Sequence, residues 1–343
     1  MAILKTLGKI PSGAELEKIK NSANYKNGAF QNLSHTEMMA PGTSYPEILW
    51  HFINKPANCT PSKILPSKKT DLKNIESEKP VIVWFGHSSY FIRINEKNIL
   101  VDPVFSGHAS PFSFITKSFP GTDIYTVDDL PPIDVLLLTH DHYDHLDYET
   151  VVLLKDKAAL VCTSLGVASH LLHWGFDKNK IIEFDWWQSQ PVATGITLVA
   201  APARHFSGRT FNRNNTLWSS FILKTPHHNL YLGGDSGYDT HFKTIGDKFG
   251  PFAIALLECG QYNTAWPYIH NMPEQTAQAA VDLNAKILMP VHWGKFSLSL
   301  HEWNEPAKRV TAKAKELGVR ITTPIIGEQV VIGEAYPDSV WWE

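Results

Sequence analysis

Hydrophobic and polar positions are weakly ordered over the first 80 residues and strongly ordered after that. From Val81 the stretch "VIVWFGHSSYFIRINEKNILVDPVF" holds three β-branched and aromatic runs, and the polar "NEKN" between the second and third reads as a hairpin turn. Apolar runs of strand length recur at Val135 to Leu138, Ala159 to Cys162, Ile181 to Phe184, Leu198 to Ala200, Ser219 to Leu223, Leu230 to Leu232, Ala253 to Leu257 and Ile287 to Val291. In the second half "PEQTAQAAVDLNA" and "NEPAKRVTAKAKELG" carry helical spacing, so a mixed α/β chain with many strands is expected. Upstream, "PSGAELEKIKNSANY" predicts a short helix with Ser12 as N-cap and Glu15 at the third helical position, a capping box. From His51 to Pro80 the chain is rich in Pro, Lys, Ser and Asn without periodicity, which predicts a surface linker or wrapping arm. The division expected is a helical and wrapping extension over 1–79 and one domain over 80–343.

Composition narrows the class. The 343 residues are 43% hydrophobic and 19% charged, enough for a sizeable core and against wholesale disorder. The net charge of −3 with scattered lysines gives no footprint for nucleic acid. Cys59, Cys162 and Cys259 are odd in number and widely spaced, which excludes a disulfide framework and fits a reducing, cytoplasmic setting. The N-terminal "MAILKTLGKIPSG" lacks the h-region of a signal peptide, and no run of about 18 apolar residues offers a spanning helix. An anchor preceding the chain is left open, and so is the oligomeric state, with a dimer compatible.

The chemistry concentrates where apolar runs stop. "DVLLLTHDH" ends in His140 and His142, "TLVAAPARH" leads to His205, "NLYLGGD" ends in Asp235 and "KILMPVH" ends in His292. Side chains at i and i+2 of an extended segment share a side, so His140 and His142 can bind one ion together, while Asp144 and His145 follow where the chain must turn. Burying that much polarity without a cation would be costly, so a metal centre is the expected reading. The number of imidazoles and carboxylates suits two Zn²⁺-like ions that share a carboxylate and a hydroxide, with Fe or Mn as alternatives. Asp147, before "YETVVLL", reads instead as a helix N-cap.

The pattern H-x-H-x-D-H with a later His, Asp and His resembles the metallo-β-lactamase superfamily. "WFGHSSYFIR", "LVDPVFSGHASP", "LPPIDVLLLTHDHYDHLDYETV", "DWWQ", "GGDSGYD", "KFGPF" and "PVHWGKF" look like its N-acylphosphatidylethanolamine-hydrolysing phospholipase D branch and the bacterial relatives of that branch. The resemblance implies an αβ/βα sandwich, two mixed sheets packed face to face with helices outside, and a dinuclear site on one edge. It further implies that His140, His142 and His205 bind one ion, Asp144, His145 and His292 a second, and that Asp235 bridges them. His270 in "PYIHNMPE" matches a further active-site histidine of the branch, which makes it a candidate for contacting phosphate or the leaving group, and Asp141 is expected to point away from the metals. "LECGQYNTAW" departs from the mammalian lipid enzyme at Glu258, Cys259 and Gln261.

Weaker candidates surround this set. His87 in "WFGHSSY" is either a structural hydrogen-bonding residue or a substrate contact, and Arg204 and Arg209 beside His205 could hold a phosphate or form surface ion pairs. Phe105, Phe112, Phe114 and Phe119 fit core packing first and a lipid-facing wall second. The function expected is a binuclear metal-dependent phosphodiesterase on N-acylphosphatidylethanolamine-like phospholipids, through a metal-bridging hydroxide, with Asp235 and His270 as catalytic residues. Its partner would be a small-molecule or phospholipid substrate, with peripheral membrane contact. The alternatives are a lactonase or thioesterase on the same centre, or a metal-dependent binding module without turnover.

Overall fold

The structure is a computed structural model that describes residues 5–343. Two sheets form its centre. The first contains β3 (Val81–Trp84), β4 (Tyr90–Ile94), β5 (Lys97–Val101), β6 (Ile133–Leu138), β7 (Ala158–Ser164), β8 (Ile181–Phe184) and β15 (Gln329–Val331), in the order β15-β3-β4-β5-β6-β7-β8. The second contains β9 (Ser189–Ala193), β10 (Ile196–Ala201), β11 (Ser220–Lys224), β12 (Asn229–Leu232), β13 (Ile254–Glu258) and β14 (Leu288–Val291), in the order β14-β13-β12-β11-β10-β9. Both are mixed: β5 to β8 are joined in parallel, as are β12 to β14, and the remaining neighbours are antiparallel.

Strand alternation explains why the first-sheet runs read as uninterrupted apolar segments. Ile82, Trp84, Tyr90, Ile92, Ile99, Val101, Val135 and Leu137 point inward and share one core with Leu198, Ala200, Phe221, Tyr231 and Leu232 of the second sheet. The residues between them, Val83, Phe91, Leu100, Leu136 and Leu138, point outward into a second cluster with Val151, Leu154 and Leu171 of α3 (Tyr148–Leu154) and α4 (Ala168–His173). Each central strand is therefore buried on both faces, as in a sheet covered by helices. On the far side α6 (Pro273–Asp282) and α7 (Glu305–Leu317) deliver Ala277, Ala280, Ala307 and Val310 to the main core. The β4–β5 turn is Asn95–Glu96, both at positive φ (50° and 59°), as the hairpin reading requires.

The N-terminal segment wraps the sandwich. The helix α1 (Ala14–Lys20) begins one residue later than the capping-box reading: Gly13 holds the N-cap position and no side chain caps it, so Ser12 is not the cap. A two-stranded turn of β1 (Tyr25–Lys26) and β2 (Ala29–Phe30) follows, and Ile19 and Phe30 bury against Leu165, Trp186, Leu217 and Trp218. The "DWWQ" tryptophan Trp186 is thus a packing residue. A further helix, α2 (Tyr45–Ile53), precedes the aperiodic arm, and Phe52 stacks on Trp266 at 6.1 Å. Among the described residues no helix is long and apolar enough to cross a membrane.

Candidate metal centre

All the polar residues picked out at run ends meet on one edge, and topology is the reason. Because β3, β5 and β6 run the same way in one sheet, and β10, β12, β13 and β14 the same way in the other, their C-terminal ends collect together. His87 follows β3, Asp102 follows β5, His140 to His145 follow β6, His205 follows β10, Asp235 follows β12 and His292 follows β14.

Two groups of ligand-capable atoms result. In the first, His140, His142, His205 and Asp235 present atoms within 4.8 Å of one another. His140 Nε2 and His205 Nε2 lie 3.0 and 3.2 Å from His142 Nδ1, and 3.8 and 3.6 Å from Asp235 Oδ2. The edge of a tetrahedron with bonds of about 2.0–2.1 Å is roughly 3.3–3.4 Å, so these spacings fit four ligands around one small cation. The tautomers fit as well. Thr139 Oγ1 donates to Asp102 Oδ2 (2.6 Å), which leaves it to accept from His140 Nδ1 (3.0 Å), and His205 Nδ1 donates to the Ile269 carbonyl (2.7 Å). Both Nε2 lone pairs are then turned inward, the orientation a metal ligand needs.

In the second group His87, Asp144, His145 and His292 come together, and Asp235 reaches it through its other oxygen. Asp235 Oδ1 is 3.1 Å from His145 Nε2 and 3.0 Å from His292 Nδ1, yet neither Oδ1 nor His145 Nε2 has a hydrogen-bond partner. Buried polar atoms left orphaned at such distances face a common point rather than each other, which fits a cation between them. His145 Nδ1 donates to Asp102 Oδ2 at 2.8 Å. His87 Nε2 sits 2.8 Å from Asp144 Oδ2 and its ring lies 4.0 Å from that of His292. His87 therefore joins the centre instead of standing apart as a packing histidine.

Backbone strain marks the same place. His87, Asp102 and His292 adopt positive φ of 52°, 41° and 66°, a conformation costing roughly 1–3 kcal/mol for a non-glycine residue. Reciprocal main-chain bonds hold two of them: His87 N–H donates to the Trp293 carbonyl and His292 N–H to the His87 carbonyl, each at 2.9 Å. Electrostatics follow from burial and charge. Burial pushes the imidazoles of His140, His205 and His292 well below the usual range. At His145 burial is outweighed by Asp235, Asp144 and Asp102, which hold it well above. Burial also opposes ionisation of Asp235, but His145 beside it brings that carboxyl to about 2.

His270 lies over this centre, its ring 5.0 Å from His205 and 5.1 Å from His292, and it forms a third ligand-capable group with Asp235 and His292. Burial pushes the neighbouring Glu258 carboxyl up to about 7, against the pull of His270. Asp141 points away as expected, accepting from Gly208 N–H (2.7 Å) and Thr216 Oγ1 (2.9 Å) and pairing with His170. Asp147 caps α3 through the Glu149 N–H.

Arg204 and Arg209 require correction. The Arg204 guanidinium donates to Thr36 Oγ1 and to the carbonyls of His35 and Tyr238, and lies over the Tyr268 ring. That of Arg209 donates to the carbonyls of Thr6, Asp141 and Leu146 and stacks on Tyr143. Their donors brace the N-terminal segment and the ligand loop, and Arg204 also lies 3.8 Å from Asp239, in line with the ion-pair alternative rather than the phosphate one. Three supporting residues lie outside the sequence reading. Asp102 orients His145 and Thr139. Ser88 Oγ meets His292 Nδ1 at 3.0 Å. Asn32 of the arm clamps the His205 backbone, accepting its N–H at 3.0 Å and donating to its carbonyl at 2.8 Å. Asp102 stood at a run end like the ligands, and the same rule would have found it.

A buried imidazole–carboxylate cluster on the edge of an αβ/βα sandwich is the architecture of metal-dependent hydrolases. The chain belongs to the β-lactamase superfamily: the profile described as "Beta-lactamase superfamily domain" matches residues 97–293. It is 36% identical to an uncharacterised protein of Mycobacterium tuberculosis over 99% of this chain and 94% of that one. It is 33% identical to the mitochondrial N-acyl-phosphatidylethanolamine-hydrolyzing phospholipase D of Saccharomyces cerevisiae, over 71% of this chain and 54% of the yeast protein. Among solved structures the metallo hydrolase Igni18 of Ignicoccus hospitalis shares the fold, with a TM-score of 0.56 and 20% identity over 74% of this chain and 97% of that one.

Proposed function

We propose that the protein is a binuclear metal-dependent phosphodiesterase acting on N-acylphosphatidylethanolamine-like phospholipids. The observation that carries the reading is the sharing of Asp235: one oxygen faces the His140 and His205 nitrogens, in a group that includes His142, and the other faces His145 and His292. Such a carboxylate suits two ions a few ångströms apart, with zinc favoured by the imidazoles and iron or manganese as the alternatives. Bound there, the ions would polarise a phosphoryl oxygen and bring the pKa of a water towards about 7. The chain's own groups supply the rest. Asp235 would orient the nucleophilic water through the two ions, and His270 would face the phosphate or the leaving oxygen.

The lipid assignment is supported by the yeast relative and by an apolar rim. Trp50, Leu49 and Ile53 of α2 are exposed, as are Phe112, Phe114 and Ile115 of the loop after β5, whereas Phe105 and Phe119 pack inward. Phe296 packs with Val104 and Ala109 of the loop after β5, lies next to Ser297, whose carbonyl accepts from Lys55 two residues beyond α2, and contacts the His87 ring at 5.3 Å. Exposed aromatics and aliphatics on these two segments suit a peripheral visit to a lipid surface.

Zinc-loaded protein and an Asp235→Asn control would be incubated with N-acylphosphatidylethanolamine and with a soluble aryl phosphodiester, and the products read by mass spectrometry. Release of N-acylethanolamine and phosphatidic acid, absent in the control, is the expected result. Cleavage of the aryl ester alone would remove the lipid assignment. Cleavage of neither with two ions bound would replace phosphodiester chemistry by the carbonyl chemistry of a lactonase or thioesterase.

A further inference from the structure

Glu258 is the last residue of β13, held in register opposite Val291, and is 1% exposed. Its backbone carbonyl accepts from Thr276 Oγ1 (2.7 Å) and its Oε1 from Asn271 N–H (2.6 Å), which pins the side chain at both ends of its reach. Oε2 has no partner, and the atom it faces, His270 Nδ1 at 3.5 Å, has none either. Two buried orphans of complementary type turned towards each other are a hydrogen bond short of closure by a few tenths of an ångström, and leaving both unmade would cost about 1–3 kcal/mol each. Among the described residues no lysine or arginine competes for this carboxylate, and Glu258 is in none of the ligand-capable groups, whereas His270 is.

We propose that Glu258 is a positioning residue: it holds the Nδ1 edge of His270, so that the Nε2 edge is presented to the centre. The His270 side chain is 12% exposed while Nδ1 is wholly buried, so its exposure comes from the rest of the ring. The His292 ring, stacked 5.1 Å away at 20°, blocks rotation out of this plane. The arrangement parallels the carboxylate that orients a catalytic imidazole in hydrolytic triads. What His270 then contacts rests on the phosphodiesterase reading; the positioning itself does not.

The test uses full-length zinc-loaded protein labelled with ¹⁵N-histidine, with long-range ¹H–¹⁵N correlations at pH 8 and His270 assigned by its loss in His270→Gln. Wild type should show a proton on Nδ1 and a bare Nε2, and Glu258→Leu should move the proton onto Nε2 in at least about half the molecules. On a soluble aryl phosphodiester Glu258→Leu should lower kcat about 10- to 100-fold with KM within about twofold and two ions still bound, Glu258→Asp should recover part of the loss, and Glu258→Leu should add nothing in the His270→Gln background. If Leu at 258 prevents folding, Glu258→Gln carries the same readings with the shape kept. An Nε2-protonated wild-type ring, an unchanged spectrum in the variants, or additive losses would overturn the proposal. A wild type that cleaves no phosphodiester would overturn the function reading instead, and the spectra would still decide the positioning.

Discussion

The two halves of the centre solve one problem by different means. In the first half three imidazoles converge, and the direction of two is set by neutral acceptors, Thr139 Oγ1 for His140 and the Ile269 carbonyl for His205. In the second half charge sets the arrangement: His145 stands among Asp102, Asp144 and Asp235, and His87 leans on Asp144. Neutral orientation resists changes of charge, whereas a balanced cluster fails when one member is neutralised. The second half should therefore be the more fragile, and Asp235, common to both, should be the one position where the difference disappears.

Removing the shared carboxylate should have the largest effect. Asp235→Asn is expected to cost at least about 10³-fold in kcat/KM and to weaken binding in both halves, read by turnover together with metal content after dialysis. Retention of activity within about tenfold would show that the halves do not depend on a common bridge. Next in size, Asp144→Asn should leave about one ion per chain and lower activity about 100-fold, while His142→Ala should keep the second-half ion; equal losses from both would abolish the distinction. Asp102→Asn sharpens it further. Asp102 meets His145 directly and His140 only through the Thr139 hydroxyl, so metal affinity should fall roughly 10- to 100-fold in the second half and by less in the first, as isothermal titration can resolve.

The same contrast separates what the sequence makes legible from what it hides. The strands of the first sheet are legible because runs such as Val135 to Leu138 are buried on both faces, and the ligands are legible because they end those runs. Strand β9 is hidden: "SQPVA" is a polar edge strand held to β10 across a register shift, with neither the composition nor the alternation of a strand. So is α4, six residues long, whose burial comes from the sheet it covers rather than from its own pattern. Within the centre, His87 is a single histidine at a strand end and looks like any satisfied core residue; only the fold brings it beside Asp144, 57 positions away. Arg204 is hidden too: it lies at a bend three residues past β10, where no strand alternation fixes its direction. The Asn32 clamp on His205 spans 173 residues and no local pattern encodes it.

The smallest effect tests whether a buried neutral imidazole outside both halves adds to the acid sensitivity. His241 lies outside both halves, on α5 (His241–Phe249), with its Nε2 3.1 Å from Ser236 Oγ. Burial lowers its pKa to about 4, with Asp239 opposing. A histidine whose pKa is lower folded than unfolded, where it is about 6.5, binds fewer protons in the native state, so stability falls as pH drops from about 6.5 towards 4 and is unaffected above that window. Between pH 7.5 and 6 this one group should cost about 1 kcal/mol of unfolding free energy. Urea titrations of zinc-saturated wild type and His241→Asn at the two pH values isolate it, because the substitution's own packing cost cancels in the pH difference. A smaller pH dependence in the variant, by about that amount, assigns this part of the acid sensitivity to a neutral buried imidazole beside the Asp235 loop. An identical pH dependence would return all of it to the other imidazoles that burial holds neutral, His140 and His205 of the first half and His292 of the second, since His145, held well above the usual range, gains stability as pH falls.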